Sequence, residues 1–377
     1  MRILIYAPAA RMGGARAHVL GLVPELAALE PQTDAGLLIA QPDLLAELPA
    51  LPSNWLVRAE RAQKRGFIGR LAWEQRVLPR IARQWRADVL LSFGSFVPLH
   101  SPCPTVLEAG NALPFTRAYW LVLGREPVRV QLEEQARWLL LRASLRAAAR
   151  VLTPTRAMRQ DVVTSLPDLL NRVDVGLWGV ADIFRRTRWS AMPGSETVLG
   201  VSKHGINKEF DVLVRALALL RDRFPTLRLT LTGTPEESRW SRRSVAIADR
   251  LGVSESVCFA GDVPNPRIPE LIQASRLLVF PTWCESFGLP LAEALAMGAP
   301  AVAADIPACR EVGGDAATYY APGDAQSLAT AIADILASPA RAAALSAAAL
   351  IQGQQFTWRA NAEAVRHTLA HAMAGRS

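Results

Sequence analysis

After Met1 the chain opens on RILIYA, a short apolar run behind a single charge, and runs of the same kind return as DVLLSF from Asp88, TVLEA from Thr105 and RVLTP from Arg150. Between them apolar residues recur at three- and four-residue intervals. Short continuous apolar runs read as strands buried on both faces, and the longer period between them reads as helix. The alternation predicts a parallel sheet with helices on both sides. The rhythm restarts at Thr197 with TVLGVS and continues through LRLTLTG from Leu227, SVCFAG from Ser256, LLVFPT from Leu277 and APAVAAD from Ala299. Two doubly wound α/β domains are expected. FRRTRWSAMPGSE, from Phe184 to Glu196, combines charge with Pro-Gly-Ser and is the natural linker between them. No repeat of solenoid period is present, and the tail is Ala-rich and helical in pattern.

A length of 377 residues suits two domains better than one core, and a hydrophobic fraction of 50% marks a globular chain. No apolar stretch approaches the roughly 18 residues that cross a bilayer. MRILIYAP is too short for a signal peptide and no cleavage-like segment follows, so a cytoplasmic protein is expected. The cysteines Cys103, Cys258, Cys284 and Cys309 have neither metal-ligand nor paired spacing, as reduced structural thiols would. The formal net charge is +8, and it is unevenly spread: residues 1–180 hold 22 Lys+Arg against 15 Asp+Glu, leaving 20 against 19 for residues 181–377. A basic first half suits an anionic membrane surface or an acidic acceptor. Nucleic acid is not the expected partner, because no aromatic-basic RNA signature, zinc finger or helix-turn-helix accompanies the charge.

The densest chemistry lies in LLVFPTWCESFGLPLAEALAMG, Leu277 to Gly298. The apolar run ends at Pro281, Pro290 stands where helices accept proline and Gly298 where they stop, so the order is strand, loop, helix. With Pro290 as the first helical residue, the amides around Phe287, Gly288 and Leu289 form the positive end of the helix, which suits phosphate. Glu285 then lies in the loop at the mouth of this site, and Glu293 in the first helical turn. Carboxylates beside a phosphate make sense as acceptors for hydroxyl groups flanking it, as in a nucleotide sugar. Taken alone, they read equally well as a dipole-favoured helix charge and a solvated loop residue.

The thirty-residue run ESFGLPLAEALAMGAPAVAADIPACREVGG, beginning at Glu285, resembles the E-x7-E signature of retaining GT-B glycosyltransferases, most closely the family 4 (group 1) set. The resemblance implies the GT-B fold, two Rossmann-like domains facing a central cleft. It gives residues 1–183 as an acceptor-binding domain, 197–355 as a donor domain and 356–377, with FTWRANAEAV, as a closing helix that crosses back to the first domain. It implies that Glu285 faces the donor hexose, that Ser286 and the Phe287, Gly288 and Leu289 backbone face sugar and phosphate, and that Glu293 holds the ribose hydroxyls. No metal or other cofactor is implied, and no Asp-x-Asp pair is present.

Other segments are read beside that resemblance. RMGGARAHVLGLVPELA, from Arg11, sets Gly13 and Gly14 between the first strand and an apolar-periodic helix; it lacks G-x-G-x-x-G spacing and resembles the family's N-terminal glycine loop facing the donor diphosphate. His18 follows on that helix, either lining the cleft or simply packed. VSKHGINKEF, from Val201, holds two of the chain's three lysines (Lys64, Lys203 and Lys208). Two ammonium groups there suit a departing diphosphate. Lys208 matches the family's lysine; the usual Gly-Arg is absent, and Lys203 is the substitute. Where many members carry a histidine, TVLEAGNALPF places Gly110, leaving Asn111 or Glu108 as the acceptor-side contact against a plain Asn turn. The segment Pro127 to Arg150 is a long helix with Trp138, Leu141 and Leu145 on one stripe and Arg142, Arg146 and Arg150 on another. That basic stripe, with Trp120, offers itself to anionic lipid headgroups, as against a solvated face. Asp43, Glu47 and the Arg-rich stretch Arg58 to Arg86 suggest no chemistry.

The expected function is transfer of a hexose from a UDP- or GDP-sugar to a hydroxyl of a glycan, lipid-linked or small-molecule acceptor with retained configuration. The alternatives are a sugar-phosphate synthase or phosphorylase-like enzyme of the same architecture, and a non-catalytic nucleotide-sugar-binding protein. Two glutamates on one short segment beside a phosphate-type helix end do not suit a glycoside hydrolase.

Overall fold

The structure is a computed structural model that describes residues 1–8, 10, 13–61, 66–94, 96–190 and 195–375. Lys64, Arg65, Arg11, Met12 and positions 191–194 of the expected linker lie outside the described residues. The chain divides into two compact units, Met1–Gly179 with Thr357–Ser377, and Val180–Phe356.

The first unit is built on strands β1 (Arg2–Ala7), β2 (Ala35–Ala40), β3 (Trp55–Ala59), β4 (Val89–Phe93), β5 (Thr105–Glu108), β6 (Arg150–Thr153) and β7 (Val173–Val175). All pairings are parallel, in the order β3-β2-β1-β4-β5-β6-β7. Beyond their first residues the inner strands are buried, as strands covered by helices on both faces must be. On one face Leu4, Tyr6, Ile39 and Leu90 pack with Trp73, Leu78 and Ile81. The helix Trp358–Ala374 belongs to this unit and packs on the helix Gly13–Leu29.

The second unit repeats the plan with β8 (Thr197–Gly200), β9 (Arg228–Leu231), β10 (Val257–Phe259), β11 (Leu277–Phe280), β12 (Ala301–Ala304) and β13 (Thr318–Tyr320). These too are parallel, ordered β10-β9-β8-β11-β12-β13. Each sheet therefore reverses its strand order once, between β1 and β4 and between β8 and β11. In open α/β sheets the crevice beyond the carboxyl ends of those two strands is where ligands bind.

Two expectations need correction here. The segment from Phe184 is not a free linker: the crossing falls earlier, after Gly179, and the helix Asp182–Arg186 packs on the helix Leu289–Met297 with Phe184 fully buried. Trp189 anchors the same segment, its Nε1 donating to Ser275 O at 2.9 Å. Nor do Arg142, Arg146 and Arg150 form a free basic stripe. Arg146 Nε donates to Asp168 at 2.8 Å, Arg150 Nε to Asp174 at 2.9 Å, and Arg142 Nε is buried. The charges of Arg146 and Arg150 are thus met by carboxylates of the same unit, and the Arg142 guanidinium lies 6.0 Å from the Trp138 ring.

Among the described residues no single helix is long and apolar enough to cross a membrane.

Candidate functional site

Lys208 and Glu285 lie far apart in sequence, and the fold of the second unit brings them together. Because β8 and β11 are neighbours, the loops that follow them run side by side. Main-chain bonds stitch these loops: Glu209 N–H donates to Pro281 O at 3.0 Å and Trp283 N–H to Asn207 O at 3.0 Å. Thr282 Oγ1 lies 3.0 Å from Asn207 O, and Trp283 Nε1 donates to Ile206 O at 3.0 Å. Lys208 Nζ forms an ion pair with Glu285 Oε1 and lies 4.4 Å from the centre of the Phe280 ring. The same carboxylate oxygen also accepts from Asn207 Nδ2 at 3.2 Å and Thr282 Oγ1 at 3.2 Å. Three donors thus hold Oε1, while Oε2 has no hydrogen-bond partner among the described residues. The side chain is fixed in place with one oxygen left for a ligand.

Three residues on, the backbone turns into the helix Leu289–Met297. It starts one residue before Pro290, not at it, and the reason is Gly288, whose left-handed backbone (φ 93°) forms the N-cap. A Cβ there would stand 3.1 Å from the Phe280 ring. Gly288 O accepts from Leu291 N–H at 3.0 Å and Ala292 N–H at 3.2 Å, so the Gly288 and Leu289 amides have no intrahelical acceptor. Phe287 is fully buried, edge-on to Phe356 at 5.7 Å, and offers the site only its backbone. Ser286 is half-buried beside it.

The earlier helix start also moves Glu293 out of the first turn: it is the fifth helical residue, and the first turn holds no acidic residue. Glu293 is buried and has no hydrogen-bond or ionic partner among the described residues. Desolvation alone pushes its pKa up to about 8. A buried carboxyl without a partner in the protein is suited to a ligand that brings hydroxyl donors.

Lys203 is not gathered into this group. Its ammonium donates to Asp262 Oδ1 at 2.8 Å and lies 3.9 Å from Glu237, and these contacts raise its pKa, the Asp262 hydrogen bond foremost. Asp262 follows β10, on the opposite side of β8 from β11 and Glu285, so the two lysines face apart. Asn207 and Thr282, which fix Glu285, went unnoticed in the sequence. The only signal was their place, beside Lys208 and directly after the strand that ends at Phe280 and Pro281.

The candidates of the first unit form a different kind of group. Gly13 and Gly14 do not precede their helix but begin it, Gly13 with φ 60° and Gly14 so close to Trp178 that a Cβ would stand 3.1 Å from its ring. His18 lines no opening. It continues the inward stripe of Val19, Leu22 and Leu26, and its ring packs against Phe93, Trp178 and Trp358 at 5.1, 4.6 and 5.5 Å. His18 Nε2 is 3.1 Å from Asn361 Oδ1, and Nδ1 is 3.5 Å from Glu108. Glu108 is itself buried and accepts from Trp178 Nε1 at 3.2 Å. Asn111 is exposed, its Oδ1 capping Leu113 N–H at 3.1 Å, the plain Asn turn. Asp43 and Glu47 are ion-pair partners of Arg16 at 3.1 and 2.8 Å. One feature had no counterpart in the sequence reading: Glu74, buried beneath the sheet, accepts from Tyr6 at 3.2 Å, and burial raises its pKa to about 7.

Residues 186–351, nearly all of the second unit and the whole of the Lys208–Glu285–Glu293 constellation, match the family of glycosyl transferases group 1. That match covers the second unit and makes it similar to the group 1 glycosyltransferases. A D-inositol 3-phosphate glycosyltransferase of Rhodococcus jostii is 31% identical over 208 residues, 51% of this chain and 46% of that protein. The chain spans about half the length of the first curated relatives it matches. Among solved structures, sucrose-phosphate synthase from Thermosynechococcus elongatus superposes with a TM-score of 0.76 at 17% identity, covering 100% of both chains. HepE from Anabaena, in complex with UDP and glucose, gives 0.74 at 19% identity over 98% of this chain and 99% of that one. At such identities the agreement is one of fold, two Rossmann-like domains of the GT-B class.

Proposed function

We propose that this protein is a group 1 glycosyltransferase, a retaining hexosyltransferase that moves a hexose from a UDP- or GDP-sugar to a hydroxyl acceptor. One observation carries the reading: at the strand-order reversal of the second unit, Glu285 is pinned by Lys208, Asn207 and Thr282 with one oxygen to spare, beside a helix start and a buried Glu293 without a partner. The diphosphate would lie against the Gly288 and Leu289 amides, the hexose hydroxyls against Glu285 Oε2 and the ribose hydroxyls against Glu293. UDP-glucose is the first donor to try, since HepE holds UDP-glucose in one structure and UDP with glucose in another.

In the proposed reaction the bond from the anomeric carbon to the phosphate oxygen breaks as the acceptor oxygen bonds to the same face of that carbon. The acceptor proton passes to the departing phosphate oxygen. No carboxylate nucleophile is needed. Lys208 and the helix end stabilise charge on the leaving group, and binding energy holds the reactants in line. Positive charge comes from the protein itself, so we expect transfer to proceed in the presence of EDTA.

The experiment is release of UDP or GDP from a panel of nucleotide sugars with hydroxylated acceptors. Glu285→Ala and Lys208→Ala should each lower turnover about 10²- to 10³-fold. Lys203→Ala should change it less than about threefold, because Asp262 and Glu237 already neutralise that lysine and a surface pair of this kind contributes little. Unaltered transfer by both the Glu285 and Lys208 variants would remove those residues from the site. A second reading, a phosphorylated acceptor, is favoured by the relatives named for inositol 3-phosphate. Assays with sugar or cyclitol phosphates beside their unphosphorylated forms separate the two.

A further inference from the structure

The helix Val128–Ala147 carries apolar residues on two opposite faces. Leu141 and Leu145 are buried, and the half-buried Trp138 meets Phe115 at 5.3 Å and Trp120 at 6.2 Å. On the other side Val128, Leu132 and Leu139 are 69, 59 and 61% exposed, with exposed Ala136 between them. Their spacing of four, four and three residues stacks the side chains into one ridge on the helix surface. Single exposed leucines are ordinary; a continuous apolar ridge marks a surface that something covers. The preceding helix Arg117–Leu123 adds Leu121, 62% exposed, one turn from Arg117. Hydrogen bonds fix the two helices together: Tyr119 donates to Glu134 at 2.9 Å and Gln131 Nε2 to Glu126 O at 2.7 Å.

From Arg117 to Ala147 there are six arginines and three glutamates, a net of +3. Arg117 and Arg125 are exposed without an acidic partner among the described residues, and Arg129 meets only its helical neighbour Glu133, at 3.0 Å. Such an exposed pair is screened by solvent and leaves the cation available.

We propose that this helix pair is a docking surface for an anionic lipid bilayer, with Val128, Leu132 and Leu139 seated among the acyl chains and Arg117, Arg125 and Arg129 against headgroup phosphates. The helix would lie in the interface plane, where buried apolar area and attraction to anionic lipid add together. A second copy of the chain is a poorer occupant, because ridge against ridge sets two +3 segments face to face. No residue of the nucleotide-sugar site takes part.

The test is cosedimentation of the full chain with vesicles of phosphatidylcholine, alone or enriched in phosphatidylglycerol. The protein should pellet with the enriched vesicles only. L132D/L139D and R117E/R125E should each weaken binding about tenfold or more while leaving the melting temperature and its shift with UDP unchanged. The proposal is overturned if the wild type stays in solution with the anionic vesicles, or if both variants pellet as it does. It is equally overturned if light scattering shows a dimer that L132D/L139D converts to a monomer, since the ridge would then be a contact between copies.

Discussion

At Glu293 a carboxyl keeps its proton to about pH 8 because burial disfavours the charge and nothing nearby repays it. The consequence for stability has a definite sign. The folded pKa lies above the unfolded value of 4.5, so the group favours the folded protein at low pH, and that contribution is lost as pH rises from about 4.5 through 8. Nucleotide binding runs the other way, since ribose hydroxyls donating to the carboxylate favour its charged form and release the proton. UDP affinity should therefore rise with pH up to about 8 and then level off, by at most about tenfold per unit. Glu293→Gln should flatten that dependence, weaken UDP about tenfold and raise the melting temperature of the ligand-free protein by about 2–4 °C at pH 8. Calorimetric titration from pH 6 to 9 checks it; a profile unchanged by the substitution would detach Glu293 from the nucleotide. Glu285, Glu293 and Lys208 were singled out through the resemblance to the family with the E-x7-E signature, since the two carboxylates alone read equally well as a helix charge and a solvated loop residue. Asn207 and Thr282 were not, since neutral polar residues are what any loop contains. His18 was left between two readings for a related reason: a polar residue on an apolar stripe suits a cleft or a packed interior until its partners, Trp178 and Trp358, arrive from the far end of the unit.

The helix Leu289–Met297 depends on how its first turn is made. A proline near the start signalled that turn correctly, but the capping conformation belongs to Gly288, which no sequence pattern assigns. Gly288→Ala would combine a left-handed backbone with a Cβ 3.1 Å from the Phe280 ring. It should cost about 1–3 kcal/mol of stability and abolish the melting shift produced by UDP, because the amides facing the phosphate would move. A normal shift in that variant would show that the helix start is not the phosphate site. Most central strands were legible as continuous apolar runs, although β2 was passed over despite its own run AGLLIA. Three of the four edge strands, β3, β7 and β13, of five, three and three residues, were also left unannounced. A short strand with one open side needs no apolar run, so it leaves little trace. The break between units was obscured for the opposite reason: Pro-Gly-Ser and charge advertise a linker from Phe184, while the crossing itself is made at Gly179, where a Cβ would stand 2.3 Å from Trp358 N.

Over the whole chain, two sheets share one strand order, and the proposed site lies at the reversal of the second. The alternation of runs revealed the doubly wound plan, yet the position of the site required knowing that β8 and β11 are neighbours, which is a property of the sheet and not of any segment. The uneven charge of the two halves was also visible early. Which arginines are available was not, since pairing with Asp168 and Asp174 depends on elements distant in sequence. The measurement that bears most directly on the central claim is a crystal structure of the chain with UDP-glucose. The account predicts the diphosphate within hydrogen-bonding distance of the Gly288 and Leu289 amides and of Lys208, with the ribose on Glu293 and the glucose on Glu285. A diphosphate bound away from the β8–β11 reversal, or Glu293 still without a partner in the complex, would contradict it.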